Sequence, residues 1–268
     1  MKTYIKKDIK ESLLRARLKK NDVVFVNPQL FEFGKMDGVK NKEDYYKSFF
    51  EIIMNIIGKN GTLVTNTYSF QTIRGNPRET FIYEKTKCSC GTFAEVVRQN
   101  KMSIRSENPV FSVSAVGKYK SYICKNNSIH NYGYGSPYQR FLELNGKILN
   151  LAIEPAINPF LHIAEFLVGV PYNYNKIMDF TYYKNKKRIK KRFVSSVRFL
   201  NLDLKRETSK ISKEIKKKLF INTSKLGASN IFLFNAKDYL NVAIQTLNKD
   251  IFAFHKKINF KKNQYPLK

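Results

Sequence analysis

Residues 146–171 read GKILNLAIEPAINPFLHIAEFLVGVP. The run from Lys147 to Ile153 has strand length, carries branched residues and is followed by a turn signal. Asn158 suits a helix N-cap, and Pro159 suits the first helical position, where its missing N–H costs nothing. The helix is expected to reach Val170 and stop before Pro171. His162 and Glu165, three apart in its first turns, project from one face.

That spacing has chemical meaning. A carboxylate beside an imidazole fixes its tautomer and stabilises the imidazolium formed when the ring takes a proton. The positive end of the helix works the other way and favours a neutral ring at rest. The plainer alternative is a histidine on an amphipathic helix with a solvated glutamate beside it. The surroundings of the pair decide between the two.

The chain has 268 residues, 43% of them hydrophobic, which suits a globular protein with a sizeable core. No apolar run is long enough for a membrane helix, so no membrane insertion is expected. The first twenty residues lack the apolar centre of a secretory signal and read as a basic amphipathic helix, with Ile9, Leu13, Leu14 and Leu18 on one side. Cys88, Cys90 and Cys124 cannot all pair, and Cys88-x-Cys90 has no zinc or redox spacing. They are expected as free thiols in a cytoplasmic protein, and no metal is called for. Lys and Arg number 49 against 21 Asp and Glu, a net charge of +28. An anionic small molecule, a nucleic acid or a membrane surface would each answer that charge, and compositional drift toward lysine would explain it without a partner.

Taken in order, residues 23–26 (VVFV) predict a buried strand that runs into a loop at 27–34 ending in glycine. Residues 43–57 predict a helix closed by Gly58, and 61–70 a second strand with hydroxyls crowding its far end. Strand, loop, helix, strand is a βαβ pattern, so parallel pairing is expected. Residues 71–87 form a polar loop, 91–100 a helix, 110–117 a half-buried strand, 131–137 (NYGYGSP) a glycine-rich loop and 138–144 a short helix. Beyond Pro171 two strands are expected, at 180–183 and 193–200, joined by a basic hairpin tip at 184–192. A Lys-rich helix at 205–219, a short apolar segment at 226–233, an amphipathic helix at 236–247 and a loosely held basic tail from His255 complete the chain. One domain over 1–268 is expected, with 172–220 as an inserted subdomain on one side of the sheet.

In this order the motifs resemble the aminoglycoside 3-N-acetyltransferase family. Residues 61–69 (GTLVTNTYS) are similar to its GTLVMPTFT-type strand, 91–98 (GTFAEVVR) to its G-x-x-x-E-x-x-R helix, and 105–114 to its R-S-x-H-P-x-x-S segment. Gly135-Ser136-Pro137 matches a GSP turn, 146–165 the G-x-x-L-x-L-G-V…N-x-x-L-H-x-x-E core, and Lys225-Leu226-Gly227 a K-V-G near the C-terminus. The likeness spans roughly residues 20–250. It implies a three-layer α/β fold, a mixed sheet with helices on both faces, plus a small basic hairpin and helix. It also implies direct acetyl transfer from acetyl-CoA to an amine, with His162 as general base, Glu165 supporting it and Asp203 as a further acid. A covalent acyl-enzyme is not required.

The coenzyme is expected at Asn27, Pro28, Gln29, Leu30, Phe33 and Gly34, at Thr65, Thr67 and Ser69, and along Val110, Phe111, Ser112, Val113 and Ser114, whose main chain could bond the pantetheine amides as an edge strand would. Ordinary strand positions are the alternative for those hydroxyls. Two departures stand out. Asn27-Pro28-Gln29 replaces the family's usual His-Ser-Ser, and Asn108 replaces the histidine of R-S-x-H-P, so the resemblance carries over main-chain contacts there and not side-chain ones.

Charge bears on the acceptor. A strongly basic protein repels polycationic aminoglycosides, and residues 172–200 hold a single carboxylate, Asp179. A nucleotide-linked amino deoxysugar, a dTDP sugar of surface-glycan synthesis, is therefore expected, with Arg74, Arg78 and the 184–192 cluster on its phosphates and Tyr68, Glu79 and Tyr172 completing the site. An aminoglycoside is the rival acceptor. A nucleic-acid-binding protein is the rival from another class, but no binding module is recognisable, so no nucleic acid is expected. A homodimer is compatible with the chain.

Overall fold

The computed structural model describes residues 3–69, 80–199 and 204–256. Strand β1 (Thr3–Tyr4) and helix α1 (Lys6–Arg15) precede β2 (Val23–Pro28), a 3-10 turn (Leu30–Phe33), β3 (Lys35–Met36), α2 (Lys42–Ile57) and β4 (Thr62–Asn66). Then come α3 (Thr92–Gln99), β5 (Ile104–Arg105), β6 (Val113–Gly117), α4 (Lys120–Cys124), α5 (Pro137–Glu143), β7 (Lys147–Leu151) and α6 (Phe160–Val168). A hairpin of β8 (Asn173–Lys184) and β9 (Lys187–Arg198) is followed by α7 (Ser209–Lys218), β10 (Asn222–Leu226), β11 (Ser229–Asn235) and α8 (Ala236–Lys249).

The main sheet has seven strands in the order β10-β11-β7-β2-β4-β6-β5. At its centre β2 pairs in parallel with both β4 and β7, as the βαβ pattern predicts, while β6 and β11 add antiparallel borders. Strand alternation makes three layers. Val24 and Val26 pack with α1, α2 and α3 on one face, whereas Val23 and Phe25 pack with α5, α6 and α8 on the other. Because β2, β4 and β7 run together, their C-terminal ends share one edge, where open α/β sheets place ligands.

Helix α6 begins at Phe160, one residue later than expected with Pro159 at the cap position, and it ends sooner. Asn158 Oδ1 accepts from Phe160 N at 2.9 Å. Gly169, at φ 72°, takes the left-handed conformation and returns its N–H to the Glu165 and Phe166 carbonyls. Glycine therefore stops the helix before Pro171 can. Similarly, Ser136 caps α5 through Gln139 N, so the GSP turn is a helix start, and the helix begins at Pro137.

Other expectations need correction. The basic stretch 184–192 is not a loop tip: only Asn185 and Lys186 turn, at φ 50° and 62°, and the remaining residues are strand. The segment 226–233 is two strands around a tight turn. A Cβ at Gly227 would lie 2.1 Å from the Phe33 carbonyl oxygen, which also accepts from Ala228 N, so only glycine fits there. In α1, Ile9 and Leu13 are buried, and so is Leu18 just beyond it, but Leu14 faces out. The C-terminal run is not loose at its start, since Ala253, Phe254 and His255 are buried; residues 257–268 lie outside the described residues. Among the described residues no helix is long and apolar enough to cross a membrane.

Candidate active site

A cleft of about 360 Å³ opens at the C-terminal edge of the parallel strands, lined among others by His162 and Glu165. His162 Nδ1 lies 2.7 Å from Glu165 Oε2. The histidine is about half exposed (47%) and the glutamate is buried (2%), so the imidazole reaches the cleft and the carboxylate stands behind it. A carboxylate at Nδ1 fixes the proton there and leaves the lone pair of the neutral ring on Nε2. Glu165 Oε1 in turn accepts from Arg206 Nη1 at 2.8 Å and from the Tyr172 hydroxyl at 3.4 Å. Burial alone would raise the Glu165 carboxyl, but the hydrogen bond with His162 and the charges of His162 and Arg206 outweigh it and bring the group down to about 2.

The opposite wall is aromatic. Tyr68, just past β4, packs edge-on to Phe111 at 5.3 Å, and Tyr132 from the glycine-rich loop stands beside them. The Tyr68 and Tyr138 hydroxyls hydrogen-bond, and Tyr138 donates to Asn66 Oδ1 at 2.5 Å. The base of the hairpin closes the cleft with Asn173, Ser196 and Arg198.

Of the residues expected at the coenzyme, only Phe111 lines this cleft. Leu30 and Phe33 are sunk in the core beside α2, and Val110 and Val113 are fully buried. Asn27 Nδ2 donates to Asn150 Oδ1 and the Ile157 carbonyl, Pro28 pairs with Leu151, Gln29 Nε2 bonds Glu32, and Gly34 ends the 3-10 turn at φ 95°. Thr65 donates to the Val26 carbonyl. Thr67, Ser69, Ser112 and Ser114 are turned inward around the buried Arg105. Arg105 donates through Nε to Ser112 Oγ (2.9 Å), through Nη1 to the Thr86 carbonyl (2.7 Å), and through Nη2 to the Thr67 carbonyl (2.7 Å) and Ser69 Oγ (2.5 Å). Thr67 bonds Ser114 as well.

The main chain of 110–112 is no free edge either. Asn108 Oδ1 accepts from the amides of Val110 and Phe111, while the carbonyls of Val110 and Ser112 accept from Ser69 N and Thr67 N. The asparagine that departs from the family pattern thus caps its own turn.

Tyr172 is fully buried and faces Glu165, so it supports the carboxylate and offers no surface to an acceptor. Within 184–192, Lys184 and Lys191 pair with Glu107, and Arg192 pairs with Asp179. Ten residue steps along β9 separate Arg188 from Arg198 in the cleft, roughly 30 Å at strand rise, so that end of the hairpin is remote from His162. Asp203, Arg74, Arg78 and Glu79 lie outside the described residues. Burial raises the thiols of Cys88 to about 11 and Cys90 to about 12, which leaves both as thiols and poor nucleophiles near neutral pH. Arg198, Arg206 and Tyr132 were not foreseen. The NYGYGSP loop was a signal for Tyr132; nothing local marks the two arginines.

The family model for aminoglycoside 3-N-acetyltransferase matches residues 30–248, and the chain belongs to that family, an acetyl-CoA-dependent N-acetyltransferase. Among solved structures it is similar to aminoglycoside acetyltransferase AAC(3)-Xa, with a TM-score of 0.78 at 17% identity over 92% of this chain and 93% of that one. It is also similar to AAC-IIIb in a binary complex with CoASH, at 0.77 and 17% over 96% and 100%, and to the YokD protein from Bacillus subtilis, at 0.75 and 19% over 91% and 99%. At such identities these likenesses establish the fold. A search of the curated proteins by sequence returned no match.

Proposed function

We propose that this protein moves the acetyl group of acetyl-CoA directly to the primary amine of an amino sugar, with His162 as general base. The amine nitrogen attacks the thioester carbonyl, its proton passes to His162 Nε2, and the carbon–sulfur bond breaks to release coenzyme A, which takes up the proton. Glu165 holds Nδ1–H and offsets the imidazolium charge as it forms. The observation that carries this reading is the 2.7 Å Nδ1–Oε2 contact with the imidazole standing in the cleft. Tyr68, Phe111 and Tyr132 give a hexose ring an apolar wall.

The family favours an aminoglycoside as acceptor. A second reading, a nucleotide-linked amino deoxysugar, is favoured by the charged residues around this cleft: among the described residues Arg198 and Arg206 line it, and the one lining carboxylate, Glu165, is already paired. Coenzyme A release with kanamycin and with a dTDP-amino sugar separates them. Turnover with kanamycin supports the first acceptor, and turnover with the nucleotide sugar alone selects the second. Bound coenzyme A with turnover of neither acceptor refutes both.

A further inference from the structure

Both partners of Glu165 Oε1, Arg206 and Tyr172, are held by residues beyond the end of the family match at 248. Arg206 lies outside helix and strand, between β9 and α7. Its stretch is fastened by two main-chain bonds, Glu207 N to the Phe254 carbonyl and Lys256 N to the Lys205 carbonyl, each 3.0 Å, around an Arg206–His255 bridge. Tyr172 is flanked by the Phe252 ring at 5.7 Å and the His255 ring, edge-on, at 4.6 Å. The segment is anchored in its own right. Ala253 and Phe254 are fully buried, Asp250 Oδ1 accepts from Phe252 N, and Asp250 Oδ2 takes Lys210 Nζ.

We propose that residues 250–256 are part of the active site: they seat Arg206 on Glu165, and Arg206 is the positioning residue of the His162–Glu165 pair. This rests on His162 being the base. A carboxylate bonded through one oxygen can rotate away from its imidazole, whereas one anchored through both keeps Oε2 on Nδ1. Arg206 also shares the carboxylate's charge. Without it, the full charge of a buried Glu165 bears on His162 and holds the transferred proton more tightly. Among the described residues, the other charged or titratable groups facing the pair are Tyr68, Arg198, Tyr132, Tyr172, Tyr239 and His255. His255 is buried with neither ring nitrogen hydrogen-bonded, and burial, then Arg206, lowers its proton affinity, so it serves as a neutral packing ring.

The test is the pH dependence of kcat/KM, with kcat, KM and Tm, for Arg206→Met, Arg206→Lys, Phe254→Ala and His162→Asn in the full chain. Arg206→Met is expected to lower kcat ~10–100-fold with little change in the KM for acetyl-CoA. The acid limb of its profile should move toward neutral pH by about one unit. Arg206→Lys recovers part of both, and Phe254→Ala, which leaves every cleft side chain in place, shows the same shift in smaller measure. A fall in Tm with the acid limb unmoved in every folded variant overturns the proposal. A raised acceptor KM with kcat and limb unchanged makes Arg206 an acceptor ligand and overturns it too. Wild-type turnover in His162→Asn removes the base itself, which is a different failure from loss in His162→Asn with Arg206→Met unmoved.

Discussion

Two charged side chains are buried at the same end of the sheet, and they have opposite fates. Arg105 is enclosed by the Ser69 and Ser112 hydroxyls and the Thr67 and Thr86 main-chain carbonyls, with its guanidinium 5.0 Å from the Phe81 ring centroid. Glu165 is as deeply buried but hands its charge outward, through a hydrogen bond, to an imidazole that stands in a cleft. The first cluster spends the Arg105 donors on protein acceptors and stabilises the fold. The second is closed on three sides and open at the one atom, His162 Nε2, that can take a proton. A polar cluster becomes a site when its satisfied core supports one member with unspent bonding capacity.

That contrast can be broken by substitution. Arg105→Met leaves several buried acceptors without a donor and should cost about 3–5 kcal/mol, read as a fall in the denaturation midpoint. The folded fraction should keep its turnover; loss of kcat beyond loss of fold would show that the two clusters are coupled through Tyr68, which sits between Thr67 and Ser69. His162→Asn should do the reverse, lowering kcat ~10²–10⁴-fold at unchanged Tm. Ser112→Ala removes one hydroxyl from the Arg105 cluster and should cost ~1 kcal/mol, with acetyl transfer untouched.

Acid sharpens the contrast further. Burial, reinforced by Arg206, lowers His255 from 6.5 to about 4, so its neutral form is favoured by folding. The stability it contributes is complete above pH 6.5 and is lost as pH falls toward 4. Glu165 is lowered from 4.5 to about 2, and its contribution is complete above 4.5 and lost below that. A urea midpoint measured from pH 7 to pH 3.5 should therefore decline from about pH 6.5 downward. His255→Phe should flatten the upper part of that decline, and an unchanged curve would show that the ring carries no such penalty.

Much of this was legible in the chain. Residues 23–26, 61–70 and 147–153 read as strands, and the helical patterns between them favour parallel pairing. Asn158, Pro159 and the three-residue step from His162 to Glu165 are local, so their helix and shared face could be read directly. The hydroxyls at Thr65, Thr67, Ser69, Ser112 and Ser114 misled, because the sequence shows that a strand end is polar and not which way it is turned. The same holds for Tyr172, whose hydroxyl faces Glu165 and not an acceptor.

The sequence by itself determined the order of the motifs and, through the family they resemble, the layers; the paired imidazole and carboxylate follow from spacing within one helix. Only the tertiary structure decided that Arg105 takes the Ser69 and Ser112 hydroxyls, that Arg206 and Tyr172 complete Glu165, and that the segment ending in His255 is packed behind them. Arg206 lies 41 residues from Glu165 and the bond between them crosses elements, and no local periodicity encodes a partner brought in by the fold.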